Sequence, residues 1–437
     1  MSGRIKSYVE QWTPEIVGWL YDEKYPFDPV EVAIFVDGIK LVQVRADGPR
    51  PDVEEAGHLT ACCGFRVPMF EVVGDSNLHE VSIVDVRTGL EIMRLANRVC
   101  FHPARPILSE SQRGKESVLD VLGDRESFLS SVSANKRLAV LSTFRADGMI
   151  DGNARHLVQS LIESGFEVLV VDTSKNCPDD SLGAKLLIHR KNFGRDFASW
   201  HAGLEFLGIS TASLNQLLLV NDSCYGPFSN LSPLFEEIDS IDADVVSLTD
   251  GWFGGYHLQS NFMLVKNEAL NNLAIETFFE SYGFPILKFS IVRDGEIGFS
   301  KALLASGYKL HALFSYERAT KTFIADYQEN LCLSAEAEDK NYLHDFVSHQ
   351  ENWCHSIFDQ ISTGKPLNTT HALWNVLIKL GFPFVKKDLI LKNQAEVPNL
   401  AIFEELVRSK FGFNEFGNIR TDIRLQGEVA VHQNKLP

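Results

Sequence analysis

The sequence lacks long apolar runs and a cysteine framework. Its longest apolar segments, such as 217–220 with their flanks, are strand-sized and fall short of the roughly 20 residues of a membrane span. Seven cysteines scattered over 437 residues, an odd number, do not form a disulfide framework. Residues 1–10 carry no apolar signal core. We therefore expect free thiols in a reducing cytoplasm.

Positive charge is also scarce. The 41 lysines and arginines are outnumbered by 58 aspartates and glutamates, which gives a formal net charge of −17. A nucleic-acid partner requires a basic face that neutralises phosphates, and docking on an anionic membrane requires basic clusters. Charge therefore predicts no nucleic-acid partner and no membrane docking by charge alone.

Several catalytic signatures are missing as well. The sequence has no Gly-x-Gly-x-x-Gly, no Gly-x-x-x-x-Gly-Lys-Ser/Thr and no Gly-x-Ser-x-Gly. These absences argue against a nicotinamide-dependent Rossmann enzyme, a P-loop protein and a serine hydrolase. The histidines and the cysteine between 344 and 355 are spaced by five, five and one, which does not form one ligand face, so no zinc site is expected there.

The first third of the chain shows period-two alternation. Two alternating runs, Val30–Val36 and Lys40–Val44, flank Asp37-Gly38, which is a strong hairpin signal. Short strands follow up to residue 95, so residues 1–110 are predicted to form a β-sandwich module. Residues 111–135 are polar and are predicted to be a linker or helix.

From residue 136 the pattern changes to strands alternating with helices. A strand at 136–144, an amphipathic helix at 153–164 and a strand at 167–172 form a βαβ unit, which implies parallel strands. Residues 136–320 are therefore predicted to form an α/β core. Residues 321–437 are predicted to be a helical extension whose last 20 or so residues are a polar, frayed tail.

Polar side chains follow the third strand, at the carboxyl ends where open α/β sheets bind ligands. The stretch begins at Asn192. Gly194 lets the backbone approach a ligand closely, and Arg195 can fork onto a phosphate. The alternative is that Asp196 caps the next helix beside a surface arginine.

Two further clusters follow later strands. Asn221-Asp222-Ser223 offers one carboxylate for a divalent cation or a sugar hydroxyl, or else forms a turn. Trp252, Tyr256-His257 and Gln259-Ser260 mix aromatic and polar side chains. They suit a sugar pocket, because rings cover the apolar faces of pyranoses while amides and hydroxyls bond the rim.

Glu296 lies at the start of a helix that runs to about Ser306. A carboxylate in this place is usually a capping residue. The functional alternative is a general base held rigidly at a helix terminus.

Taken together, these segments resemble the rhamnan synthesis protein F family of bacterial polysaccharide glycosyltransferases. The resemblance runs from about residue 136 to 395, and the N-terminal β segment is similar to an accessory region of some bacterial glycosyltransferases. The matching stretches are residues 192–196, 219–228, 248–250, 257–262 and 368–374, with 381–387 after the last.

The resemblance implies a GT-A-like mixed sheet flanked by helices and an inverting sugar transfer. Glu296, followed by Gly307-Tyr308, is then the base for the acceptor hydroxyl, with Asp250 as the alternative base. Arg195 is expected to stabilise the leaving diphosphate. The family's usual Asp-x-Asp is reduced to the single Asp222, which holds Mg²⁺ or Mn²⁺ if a metal is used. The expected donor-side residues are Thr143, Asp147, Asp172, Asn192, Gly194, Arg195, Asp196, Asn221, Asp222 and Ser223.

The implied partners are a nucleotide-sugar such as dTDP-rhamnose and an oligosaccharide or lipid-linked glycan acceptor. Peripheral association with membrane-bound glycan assembly proteins at the inner face of the membrane is also implied. Two other classes stay open: a non-catalytic carbohydrate-binding or scaffold protein of a polysaccharide assembly complex, and a nucleotidyltransferase. The first is allowed by the missing second acid, and the second lacks a visible Gly-rich basic loop.

Overall fold

The computed structural model describes residues 5–13, 15–73, 78–101, 117–145, 152–271, 273–283, 291–327, 342–393, 397–398 and 400–433. The chain divides into two compact units, residues 1–106 and 107–437. Within the described ranges, every helix is too short or too polar to cross a bilayer.

The first unit consists of two antiparallel sheets over one apolar core. The four-stranded sheets have the orders β1-β2-β6-β5 and β4-β3-β7-β8. The predicted hairpin is confirmed: Asp37 and Gly38 join β3 to β4 with φ angles of 49° and 81°, as a two-residue primed turn requires. The strands are β1 Ile5–Gln11, β2 Ile16–Asp22, β3 Val30–Val36, β4 Ile39–Ala46, β5 Gly48–Pro49, β6 Cys62–Val67, β7 Val81–Asp85 and β8 Glu91–Arg94.

The second unit is built on an eight-stranded mixed sheet of order β19-β15-β18-β13-β10-β11-β12-β9. Strands β12, β11, β10 and β13 are parallel, whereas β18 runs antiparallel to both β13 and β15. The strands are β9 Val118–Gly123, β10 Arg137–Thr143, β11 Glu167–Asp172, β12 Leu186–Arg190, β13 Gln216–Asn221, β14 Cys224–Tyr225, β15 Val245–Ser247, β16 Asp250–Gly251, β17 His257–Leu258, β18 Phe262–Lys266, β19 Leu310–Ala312 and β20 Val385–Lys386.

Helices cover both faces of this sheet, so its strands are apolar on both sides. In β10, Ala139 and Leu141 pack towards one layer, while Leu138 and Val140 pack towards the other. The helices are α1 Pro51–Glu55, α2 Met69–Val72, α3 Arg125–Asn135, α4 Gly152–Glu163, α5 Arg195–Leu207, α6 Ser232–Ser240, α7 Ala274–Ser281, α8 Gly298–Ala305, α9 Tyr316–Ala325, α10 Tyr342–Ser362, α11 Thr369–Ala372, α12 Trp374–Leu380, α13 Lys387–Lys392, α14 Phe403–Phe411 and α15 Gly417–Gln433.

Two regions differ from the sequence-based expectation. Residues 118–123, expected to be linker or helix, form the edge strand β9 antiparallel to β12, and its side chains are largely exposed. An edge strand needs no apolar face, so hydrophobic periodicity in the sequence does not reveal it. The tail expected to be frayed is helical from 417 to 433, because Phe416 and Ile419 are buried against the C-terminal helices.

Candidate functional site

A groove lies at the carboxyl ends of the parallel strands. One cavity of about 430 Å³ is lined by residues from the turns after β12 and β13. A second, of about 380 Å³, shares Phe144, Thr173 and Asn192 with it. We call these two cavities together the strand-end groove. Another cavity, of about 460 Å³, lies beside Lys136 and Asn215 at the amino ends, where sheets of this kind do not usually bind ligands.

The turn that precedes α5 has an unusual backbone. Gly194 and Arg195 both have left-handed φ angles, 63° and 48°. A non-glycine residue in this conformation is uncommon and marks candidate functional sites. The Arg195 side chain is exposed and lines the groove, and no carboxylate in the described ranges pairs with it. The arrangement suits an anionic ligand.

A chain of hydrogen bonds joins four of the predicted segments. The Ser142 hydroxyl donates to Asp196 Oδ1 at 3.1 Å, and Asn221 Nδ2 donates to Asp196 Oδ2 at 2.9 Å. Asn221 Nδ2 also donates to the Ser260 carbonyl at 3.2 Å. The Ser260 N–H donates to Glu296 Oε1 at 2.9 Å. The capping interpretation of Asp196 is therefore wrong, because its carboxyl ties the helix to the ends of two strands.

Within this series of hydrogen bonds, several charged side chains act on the carboxyl of Asp196. Burial raises the pKa of its carboxyl, and the nearby Glu296 carboxylate raises it further. The hydrogen bond from Ser142 and the positive charges of Lys386 and Arg195 act in the opposite direction. Cations and carboxylates from distant parts of the sequence thus act on one half-buried group.

Asp222 carries the one carboxylate of the turn after β13. The Phe144 N–H donates to its Oδ2 at 3.3 Å, and Lys387 Nζ lies 3.8 Å from the same atom. The turn interpretation is confirmed for Asn221, whose Oδ1 accepts from the N–H and the hydroxyl of Ser223 at 3.1 and 2.6 Å. No group of three or more acidic, histidine or cysteine ligands occurs among the described residues.

The early strand ends form the wall of the groove. Asp172 is 2% exposed and accepts hydrogen bonds from Thr143 and Ser174. It also lies 2.8 Å from His189 Nδ1, and His189 lines the second cavity. Thr143 and Asp172 are buried and do not line the two cavities, and their contact with a nucleotide stays a prediction. Asp147 lies outside the described residues.

Glu296 lies in a π-helical turn, Val292–Ile297, that leads into α8. Such turns are rare and often occur at functional sites. The capping interpretation is wrong here too, because Oε1 accepts from Ser260 on a different segment. Gly254 packs so closely on Ile297 that an added Cβ would lie 3.1 Å from its Cδ1. The loop before β17 therefore rests on the turn that carries Glu296.

Asp250, the alternative base, faces elsewhere. It is 5% exposed, and its Oδ1 accepts from the Tyr316 N–H at 2.5 Å, at the start of α9. Burial raises the pKa of the Asp250 carboxyl. Burial and the Asp250 charge together raise the pKa of Tyr256 to about 12. Neither Asp250 nor Glu296 lines the strand-end groove, but Glu296 is joined through Ser260 and Asn221 to Asp196, which does.

The predicted sugar-binding residues divide into accessible and buried members. Trp252 is 51% exposed, and its ring centroid lies 5.2 Å from that of the half-buried Tyr256. His257 is buried, with Nδ1 2.8 Å from the Gly255 carbonyl. Trp252 and Tyr256 can therefore offer a face to a ligand, whereas His257 holds the loop.

Gln259 and Ser260 act mainly through the local framework. Gln259 Oε1 accepts from the Thr249 hydroxyl at 2.6 Å, and its N–H donates to the Thr249 carbonyl at 2.9 Å. Ser260 uses its backbone to join Asn221 to Glu296. Both residues position the site more than they line it.

Arg190 is a residue that sequence reasoning missed. It is 1% exposed and donates to the hydroxyls of Ser117 and Ser199, each at 3.1 Å, and to the Phe193 carbonyl at 3.0 Å. Burial lowers its pKa to about 10. Its position at the end of an otherwise apolar strand was the available signal. It fixes the loop that leads to Gly194.

C-terminal segments also contact the residues that follow β13. Strand β20 pairs with β14, which places Lys386 opposite Cys224. Asp422 of α15 accepts from the Tyr225 hydroxyl at 2.9 Å and from Arg145 at 3.4 Å. No local motif marked Asp422, because its partners are hundreds of residues away in the sequence.

Comparisons with known proteins agree with the sequence motifs. The chain is 28% identical over 268 residues to virulence protein VirA of Vibrio anguillarum, a match that covers 60% of this chain and 78% of that protein. It is 23% identical over 194 residues to uncharacterized protein y4gN of Sinorhizobium fredii, covering 43% and 50%. A family model described as rhamnan synthesis protein F matches residues 180–334, and this match confirms the resemblance to that family.

Proposed function

We propose that this chain is a glycosyltransferase that moves a sugar from a nucleotide-sugar to a polysaccharide. The observation that carries this proposal is the hydrogen-bonded chain from Asp196 through Asn221 and Ser260 to Glu296. It connects a groove suited to an anion with a carboxylate suited to proton abstraction. A transferase needs these two functions at a fixed separation.

The strand-end groove supports the donor side of the proposal. Its two adjoining cavities, about 430 and 380 Å³, are in the size range of small-molecule sites. Arg195 lines it, and Lys387 lies beside Asp222 at its edge. A guanidinium binds phosphate oxygens bidentately. We infer that the diphosphate lies near Arg195 and the nucleoside towards His189.

The acceptor side is assigned to Trp252, Tyr256 and Glu296. In the proposed single displacement the acceptor oxygen attacks the anomeric carbon while its proton passes to Glu296. The carbon–oxygen bond to the diphosphate breaks, and its electron pair leaves with the nucleoside diphosphate. Attack opposite the leaving group inverts the anomeric centre. The exposed Trp252 ring and the half-buried Tyr256 ring offer apolar faces for the acceptor sugar.

Family resemblance supports a deoxyhexose donor such as dTDP-rhamnose. A polysaccharide role follows from the same resemblance, with an oligosaccharide or lipid-linked glycan as the acceptor. Peripheral association with membrane-bound glycan assembly proteins belongs to this proposal as well.

A non-catalytic carbohydrate-binding role is the second candidate. One observation favours it: the single carboxylate of Asp222 is already engaged by Lys387 and by the Phe144 N–H. Such a protein would bind glycans through Trp252 and Tyr256 without turning over a donor. The two candidates differ in whether a nucleotide binds.

The test is a panel of nucleotide-sugars measured for thermal stabilisation of the full chain, followed by turnover with and without glycan acceptors. We expect one nucleotide family to raise the melting temperature and its sugar to be released or transferred. NMR of the product then gives its anomeric configuration. Stabilisation by glycans alone, with no nucleotide effect, would favour the binding protein and contradict the transferase.

A further inference from the structure

Two consecutive lysines, Lys386 and Lys387, lie against the turn that carries Asp222. Lys386 Nζ donates to the Ser223 hydroxyl at 3.0 Å, and Lys387 Nζ lies 3.8 Å from Asp222 Oδ2. The backbone N–H of Lys387 donates to the Ser223 carbonyl at 2.9 Å. Side chains and backbone together fix the lysine pair to the turn after β13.

The donor atoms at this turn do not fit a divalent cation. Mg²⁺ and Mn²⁺ take several oxygen ligands in near-octahedral geometry. Asp222 is the one carboxylate of the turn, and the amide oxygen of Asn221 already accepts two hydrogen bonds from Ser223. The ammonium group of Lys387 lies 3.8 Å from Asp222 Oδ2, where it would repel a cation.

We propose that Lys386, Lys387 and Arg195 supply the positive charge that neutralises the donor diphosphate, in place of a metal ion. This inference rests on the proposed function. Arg195, Asp222 and Ser223 line the same cavity. Lys386 donates to Ser223 and Lys387 lies beside Asp222, so all three cations lie at one part of the groove. Asp222 then serves to hold Lys387 in place.

The step balances without a metal. The bond between the anomeric carbon and the diphosphate oxygen breaks, and the electron pair remains on that oxygen. The new bond forms to the acceptor oxygen, whose proton passes to Glu296 and then to water. Negative charge grows on the leaving diphosphate during this step, and fixed cations beside it stabilise that charge.

A merely structural role for the lysines is the competing explanation. Lys387 also lies over the Tyr225 ring, 5.6 Å from its centroid, so it contributes to packing. Packing predicts a loss of stability when the lysine is changed, with nucleotide affinity unaffected in the folded fraction. A charge role predicts a loss of nucleotide affinity with little change in stability. Lys387→Arg keeps the charge and should preserve the affinity.

The experiment titrates UDP, dTDP and GDP into the full-length protein by calorimetry, in buffer with EDTA and in buffer with Mg²⁺ or Mn²⁺. We expect one nucleoside diphosphate to bind with a Kd that changes by less than about threefold between the buffers. The double variant Lys386→Gln, Lys387→Gln should weaken this binding by at least about tenfold. Lys392→Gln, on the exposed side of the same helix, is the matched control.

Each outcome decides one point. Binding that appears only with a divalent cation and is unchanged in the double variant would overturn this inference and leave the transferase proposal standing. No binding of any nucleoside diphosphate in either buffer would overturn both. The comparison between EDTA and Mg²⁺ or Mn²⁺ buffers uses the parent protein. It therefore still tests the proposal if the double variant fails to fold.

Discussion

Replacing Glu296 with glutamine separates proton abstraction from structure. In the parent chain the Ser260 N–H donates to Glu296 Oε1 at 2.9 Å. Glutamine keeps an oxygen acceptor at this position, so the π-helical turn stays in place. The amide cannot accept a proton from the sugar hydroxyl. Turnover should therefore fall by about 10²–10⁴-fold. That loss corresponds to about 2.7 to 5.4 kcal/mol of activation free energy.

Stability should change far less than turnover in this variant. The hydrogen bond from Ser260 loses the charge of its acceptor, which lowers the free energy of unfolding by about 1 kcal/mol. For a unit of this size the melting temperature should drop by no more than about 2–4 °C. The donor Kd should stay constant, because Glu296 does not line the groove where Arg195 and the lysines are proposed to bind the diphosphate.

The assay follows release of nucleoside diphosphate at saturating donor and acceptor, with the melting temperature measured on the same samples. Glu280→Gln on α7 is the control, since it makes the same substitution at an exposed position. A Glu296→Gln enzyme that keeps more than about a tenth of the parent turnover would refute the assignment. Asp250→Asn would then be the next variant to examine.

The segments that sequence analysis found are those whose chemistry is local. Asn221 forms a turn with its own neighbour Ser223, and Gly194 introduces the turn before α5. Both follow apolar strands whose ends can be read from hydrophobic patterning. The carboxyl-end rule for open sheets then predicts that such turns meet at one edge. The strand-end groove has this arrangement.

The contacts that were missed join residues far apart in the sequence. Asp422 reaches Tyr225 from the last helix, and Lys386 reaches Ser223 through a two-residue strand. A single sequence carries no signal for such pairs. Burial matters as well: Asp172, expected to bind a nucleoside, is buried and lies 2.8 Å from Nδ1 of His189, which lines the second cavity. Which strand-end carboxylate faces the ligand depends on packing that only the fold specifies.

Three further outcomes are expected. Arg190→Met removes the buried donor of three hydrogen bonds, so unfolding in urea should show a loss of about 2–3 kcal/mol. An unchanged midpoint would contradict this. Trp252→Ala should raise the acceptor KM by about five- to tenfold at constant donor Kd. The control Phe27→Ala, at an exposed residue of the N-terminal unit, should leave the KM unchanged. Equal KM values in the parent and both variants would remove Trp252 from the acceptor site. Asp250→Asn tests the buried carboxyl. Because burial raises the pKa of Asp250 in the folded state, its ionisation costs stability as pH rises from about 4 through that folded pKa. Asparagine keeps an acceptor for the Tyr316 N–H but carries no charge, so the loss of unfolding free energy between pH 4 and pH 7 should be smaller in the variant. Denaturation curves at both pH values measure this difference, and parallel curves for variant and parent would mean that Asp250 is ionised in the fold at no cost.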